Sequence, residues 1–194
     1  FRNIKAMTLR ADKLLFSFIK FLLTNRTNKF RHNPYHELKA TMGSLIILIL
    51  NKELFKLAKS PLIITPHPME MSRMTNIEVG EIIKNIPDFA QNFADQNGLI
   101  CVLKDHNTAV AIPNGDKIYI NQSGNSGMAT GGSGDVLDGI IAGLLAQGTE
   151  PYTAATLGVY LHGLAGELAS EMLSEYSVMA SDIIEALPDI LINI

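Results

Sequence analysis

The residues of this 194-residue chain with the most chemical pattern are Gly127-Met-Ala-Thr-Gly-Gly-Ser-Gly-Asp135, followed at once by an apolar stretch that stops at Gly148. Small residues running into a helical pattern make a junction suited to anions. The first helical turn leaves backbone N–H groups without intrahelical partners, and the helix dipole adds positive partial charge there. Gly131, Gly132 and Gly134 let the backbone come close to an oxyanion and adopt positive φ, while Asp135 brings a carboxylate to the same helix start. A carboxylate beside bound phosphate repels it unless it takes a proton from an attacking hydroxyl or faces a cation. The pairing therefore suits a phosphate site in which Asp135 either takes such a proton or faces a cation. The plainer alternative is a glycine-rich connector whose aspartate caps the helix.

Two other stretches carry candidate chemistry. Thr65-Pro66-His67-Pro68-Met69-Glu70 follows an apolar run, and its two prolines read as a stiff loop that holds His67 and Glu70 in fixed directions; the alternative is an exposed loop histidine. Lys104-Asp105-His106-Asn107-Thr108 follows another apolar run, and standing alone it reads as a solvated polar turn. His162 falls inside a later helical stretch and reads as a packed or surface residue.

The elements that must position these groups alternate from residue 45 onward. Residues 45–50 read as a buried strand, 51–59 as a short helix and 61–65 as a second strand, a spacing that implies a parallel pair. Residues 77–98 read as a helix with Ile82, Ile83, Ile86, Phe89 and Phe93 on one face, kinked or divided at Pro87 and ended by Gly98. A third strand at 99–104 leads to a hairpin of strands 109–113 and 117–121 around Asn114-Gly115. After Gly148 a helix opens at Pro151 and runs to Leu173, and Ser181 caps a last helix at 182–191.

Composition sets bounds. Apolar residues make up 47% and charged residues 18%, a globular and not a disordered balance, and the length suits one domain. The net charge of −3 hides an asymmetry: residues 1–40 hold nine Lys or Arg against Asp12 and Glu37, so 41–194 is strongly acidic. Residues 1–44 thus stand apart as a basic segment, in which 12–23 reads as a helix and 25–28 as a turn, with no recognisable nucleic-acid module. The apolar run at 14–23 is too short for a membrane span and is broken by Lys20. Cys101, the single cysteine, sits in an apolar run and reads as an inert core thiol of a reducing compartment, which together with the lack of a leader points to the cytoplasm.

The segment from Gly127 to Gly148 closely resembles the corresponding stretch of the ADP-dependent NAD(P)H-hydrate dehydratases, members of the ribokinase-like group. The stretch from Thr65 to Glu70 is similar to their Thr-Pro-His-Pro-Gly-Glu motif, Lys104 to Thr108 to their Lys-Gly-x-x-Thr, and Asn121 to Ser126 to their Asn-x-x-Gly-Asn-Pro. Met69, Asp105, His106 and Ser126 depart from those patterns, and Met69 would strain the loop if the glycine it replaces needs positive φ. The likeness extends over about residues 51–194. The family's opening strands and its Asp-Ala-Asp strand end have no counterpart in 1–50, so the domain is expected at 45–194 behind a divergent basic segment.

The resemblance implies an α/β, ribokinase-like three-layer sandwich, with a mostly parallel sheet flanked by helices and N-terminally incomplete or divergent. It implies ADP-dependent dehydration of (6S)-hydrated NADH or NADPH, giving AMP and phosphate, with Mg2+ as cofactor and ADP as phosphoryl donor. Asp135 would be the catalytic base, His67 a substrate contact, and Gly132, Ser133 and Gly134 the anion hole. Lys104, Asp105, His106, Asn107, Thr108 and Gly134 would hold the nucleotide, and Glu70 would order metal-bound water. A homo-oligomer, a tetramer by family habit, is expected, with no nucleic-acid or membrane partner. Two other readings share the loop: a ribokinase-like small-molecule kinase, in which Asn usually stands where His67 does, and an inactive remnant that at most binds nucleotide.

Overall fold

The structure is a computed structural model that describes residues 61–192. The strand expected at 45–50 and the helices expected at 12–23 and 51–59 lie outside the described residues, as does the turn at 25–28. The described chain divides into two compact units, one of residues 61–122 with 150–156 and one of 123–149 with 157–192.

The first unit is built on a sheet. Strand β1 (Ile63–Ile64) runs parallel to β2 (Ile100–Leu103), with Ile63 opposite Ile100 and Ile64 opposite Cys101. Strand β3 (Ala109–Ala111) returns antiparallel to β2, and β4 (Tyr119–Ile120) antiparallel to β3. The expectation of a mostly parallel sheet is not confirmed among the described strands, whose sheet is mixed in the order β1-β2-β3-β4. The short connections at 104–108 and 112–118 permit only antiparallel returns, whereas the parallel pair has three helices in its crossover.

Those helices are α1 (Pro68–Thr75), α2 (Val79–Lys84) and α3 (Ile86–Asn97). Pro87 lacks an N–H and is tolerated only in a first turn, so the expected 77–98 helix divides just before it, at Asn85. The division resets the helical phase: Ile82, Ile86, Ala90, Phe93 and Ala94 are buried, but Ile83 is half exposed instead of sharing that face. Gly98 ends α3 at φ 64°, a conformation that costs glycine little. Both faces of β2 and β3 are covered, as a continuous apolar run requires. Cys101 is wholly buried, and burial pushes its thiol far above the usual range, which makes it inert.

The second unit is helical, with a 3-10 turn (Ser126–Met128), α4 (Ser133–Ala146), most of α5 (Pro151–Leu173) and α6 (Ala180–Ile192). Its core joins Val136 and Ile140 of α4, Leu161, Ala165 and Ala169 of α5, and Ile183, Ala186 and Leu187 of α6. The expected cap of α6, Ser181, is corrected. The helix begins at Ala180, two residues before the expected start, and Asp182 accepts the Met179 backbone N–H at 2.8 Å from its place in the first turn. A carboxylate in that turn is an acceptor aligned with the dipole, so it displaces the serine. No helix among the described residues is long and apolar enough to cross a membrane.

Candidate functional site

The helix start that carries Asp135 lies in the helical unit. Gly132 is the N-cap residue of α4, with φ at 94°, and contributes no side-chain cap. A side chain there would be strained by the φ alone, and its Cβ would meet the Ala180 Cβ at 3.2 Å. Ser133, Gly134 and Asp135 then occupy the first turn, three residues before the expected apolar start of the helix. Of the three glycines expected to exploit positive φ, Gly132 does so, whereas Gly131 and Gly134 do not. The Ser133 N–H donates to the Thr130 carbonyl at 3.2 Å, so an oxyanion at this helix start must compete for that amide or be held by its neighbours. Asp135 is half-buried in the first turn.

The segment leading into this turn is pinned from α5. Glu167 accepts the Gly124 N–H at 2.7 Å, and Asn125 accepts both the Gly127 N–H at 3.1 Å and the Ser170 hydroxyl at 3.0 Å. The Ser126 hydroxyl, standing where the related motif has proline, donates to Glu175. Ser133 in turn lies 3.2 Å from His162 Nε2 through its Oγ, both side chains being buried. Nothing in the local pattern around His162 signalled that contact, because its partner is 29 residues away.

The other candidate residues lie in the sheet unit. His67 does not sit in a loop: it is the N-cap of α1, with Pro68 at the first helical position. Its Nδ1 accepts the Glu70 N–H at 3.3 Å, and Glu70 Oε2 accepts the His67 N–H at 2.9 Å, a capping box with histidine in the usual Ser or Thr position. Met69, inside the first turn, avoids positive φ, so the strain expected from replacing glycine is absent. The Lys104 N–H donates to the Pro66 carbonyl at 2.8 Å, which extends the β1-β2 pairing and brings Lys104 beside the His67 cap, at the carboxyl edge of the parallel pair. That edge is where open parallel sheets bind ligands.

Residues 105–108 form a turn closed on itself. The Thr108 hydroxyl donates to the Asp105 carbonyl at 3.0 Å and accepts the Asp105 N–H at 3.3 Å, so it braces the turn. Thr108 is buried, whereas Asp105, His106 and Asn107 are exposed. The His106 ring pairs with the Asn107 amide at 2.9 Å and lies near the Asp105 carboxylate at 3.8 Å. Among the described residues no group of three or more His, Cys, Asp or Glu forms a metal cage.

Against known proteins, the profile of the NAD(P)H-hydrate dehydratase family matches residues 43–189. The chain belongs to that family. It is 45% identical over 134 residues to the bifunctional NAD(P)H-hydrate repair enzyme of Moorella thermoacetica, covering 69% of this chain and 25% of that protein. The crystal structure of the ADP/ATP-dependent NAD(P)H-hydrate dehydratase from Bacillus subtilis, co-crystallized with ATP and Mg2+, superposes with a TM-score of 0.66 at 38% identity, covering 69% of this chain and 48% of that one. A ribokinase-like superfamily protein from Enterococcus faecalis follows with a TM-score of 0.57 at 33% identity, over 73% of this chain and 49% of that one. The fold is thus ribokinase-like α/β, a small mixed sheet flanked by helices. This dehydratase-family chain spans about half the length of the solved relatives it matches.

Proposed function

We propose that this chain, through residues 45–194, returns (6S)-hydrated NADH or NADPH to the normal dinucleotide at the expense of ADP, with AMP and phosphate as the other products. The observation that carries the reading is the start of α4 in a chain of this family. A left-handed Gly132 opens a helix whose first turn holds Ser133, Gly134 and the carboxylate of Asp135.

Hydroxide is a poor leaving group, so the chemistry needs the ring hydroxyl converted to a phosphate ester before it departs. Asp135 takes the hydroxyl proton as its oxygen attacks the terminal phosphorus of ADP and AMP leaves. The amides of Gly132, Ser133 and Gly134 stabilise the transferring group, with the Ser133 amide drawn from Thr130. The ester then leaves as phosphate while the neighbouring ring carbon loses a proton, which restores the double bond. Lys104 and the exposed turn of Asp105, His106 and Asn107 receive the nucleotide, Thr108 keeps that turn in shape, and His67 faces the hydrated ring.

Mg2+ suits an outer role here. The Glu70 carboxylate already accepts the His67 N–H and is only partly exposed, so it fits a contact to the ion's hydrating water better than direct ligation. When bound with the nucleotide, the ion neutralises phosphate charge.

The test follows absorbance at 340 nm while the protein is incubated with NADH hydrate, Mg2+ and either ADP or ATP. An ADP-dependent rise supports the reading. No rise from folded protein, with an active dehydratase as control, overturns it, and nucleotide consumed without that rise turns the assignment toward a small-molecule kinase.

A further inference from the structure

We propose that His162 is a positioning residue, which holds Ser133 at the start of α4 and through it sets the direction of Asp135; the proposal rests on reading that helix start as the site of phosphoryl transfer. His162 Nε2 and Ser133 Oγ are 3.2 Å apart, at 9% and 7% exposure. Packing alone would be served by an apolar side chain at either position, with no polar group to desolvate. A buried hydrogen bond adds what packing lacks, a fixed direction.

The direction matters because of where Ser133 stands. Gly132 supplies no capping side chain, so the serine hydroxyl next to it is the group placed to fold back on the first-turn amides, as serines at helix starts do. His162 turns that hydroxyl the other way, toward α5. The Ser133 amide is tied to Thr130 at the same time, so this residue is held at both its side chain and its backbone, and Gly134 and Asp135 follow from a fixed point. The same helix fixes the other flank of the loop. A Cβ on Gly163, the neighbour of His162, would fall 2.0 Å from Ser123 Oγ, and Glu167 and Ser170 hold Gly124 and Asn125. Helix α5 therefore grips the loop at residues 123–125 and again at Ser133, and His162 is the grip on the catalytic side.

The experiment compares the full chain with its His162→Leu, His162→Gln and Ser133→Ala variants by two readouts, kcat and KM for NADH hydrate with ADP, and amide hydrogen exchange at residues 133–136. Loss of one buried hydrogen bond is expected to lower kcat roughly five- to tenfold with KM for the hydrate unchanged. Exchange at 133–136 is expected to quicken, and glutamine, which can restore the bond, to recover both readouts. Ser133→Ala removes the same bond with little change of volume and carries the same expectation should His162→Leu not fold. Wild-type exchange and kcat in both His162→Leu and Ser133→Ala would overturn the proposal, and so would equal impairment in His162→Leu and His162→Gln, which would mark a role in shape alone. If the wild-type chain shows no dehydration, the functional reading fails by itself, and exchange still decides whether His162 orders the helix start.

Discussion

The imidazole of His67 and the carboxylate of Glu70 close a reciprocal cap over the first turn of α1, each accepting the other's backbone N–H, at 3.3 and 2.9 Å. Because Nδ1 is the acceptor, the proton of the neutral ring sits on Nε2, 3.5 Å from the same carboxylate. The residue proposed to face the substrate is thus also a structural element of its own helix.

Those two roles separate by substitution. Asparagine is a strong N-cap, so His67→Asn is expected to leave the melting temperature near that of the wild type while raising KM for NADH hydrate about tenfold, for one lost polar contact to substrate. His67→Ala is expected to lose both contact and cap, with a further stability cost of about 0.5–2 kcal/mol in urea titration. An unchanged KM in His67→Asn would leave His67 with the cap alone.

Much of the frame was legible because its signals are local. Pro151 marked the start of α5 and Gly98 the end of α3, each by backbone chemistry that acts at one residue. The hairpin of β3 and β4 also lies where Asn114-Gly115 placed it, with Asn114 at φ 54°. Contacts that cross sequence distance were not legible: the bond from Ser133 to His162 leaves no trace in the residues around either. The His67 cap was missed for a different reason. Glu70 three residues after His67 is the box spacing, but the two prolines pointed to a rigid loop and histidine is an unusual partner for the motif. Ile83 was misplaced because its phase was counted through Asn85 as though the helix were continuous.

For Asp135 the role as base makes a sharper demand than the role as cap. Asp135→Asn preserves size and first-turn position, so it is expected to lower kcat roughly 10²- to 10⁴-fold while the Kd for ADP, measured by titration calorimetry, stays within about threefold. Equal loss of binding and turnover would mean that the carboxylate shapes the nucleotide site instead of taking the proton.

The close approach of the lead-in segment to α5 gives a stability test independent of chemistry. In Gly163→Ala the new methyl would fall 2.7 Å from the carbonyl carbon of Ser123 as well as 2.0 Å from its hydroxyl, and backbone cannot swing aside. A loss of about 1–3 kcal/mol is expected from denaturant unfolding. Gly80 in α2 is the control: a methyl there meets nothing within 4 Å, so Gly80→Ala is expected to be neutral or to stabilise by up to about 1 kcal/mol.

Glu150 offers a pH-dependent test at the start of α5. Partial burial works to raise its pKa, but the N–H groups of Tyr152 and Thr153 and the Thr153 hydroxyl, at 2.9–3.0 Å, together hold it below its ordinary 4.5. A depressed folded pKa means that the unfolded chain binds more protons in the window between the two values. Stability from this group is therefore full above about pH 4.5 and is lost as pH falls through the folded pKa. The side chain is exposed, so solvent screening limits the charge contribution to a few tenths of a kcal/mol. Glu150→Gln keeps acceptor atoms for the helix start but not the charge, and its stability deficit relative to wild type is expected at pH 7 and to vanish in acid. A deficit that persists unchanged at pH 3 would assign the effect to hydrogen-bond geometry and not to the ionised carboxylate.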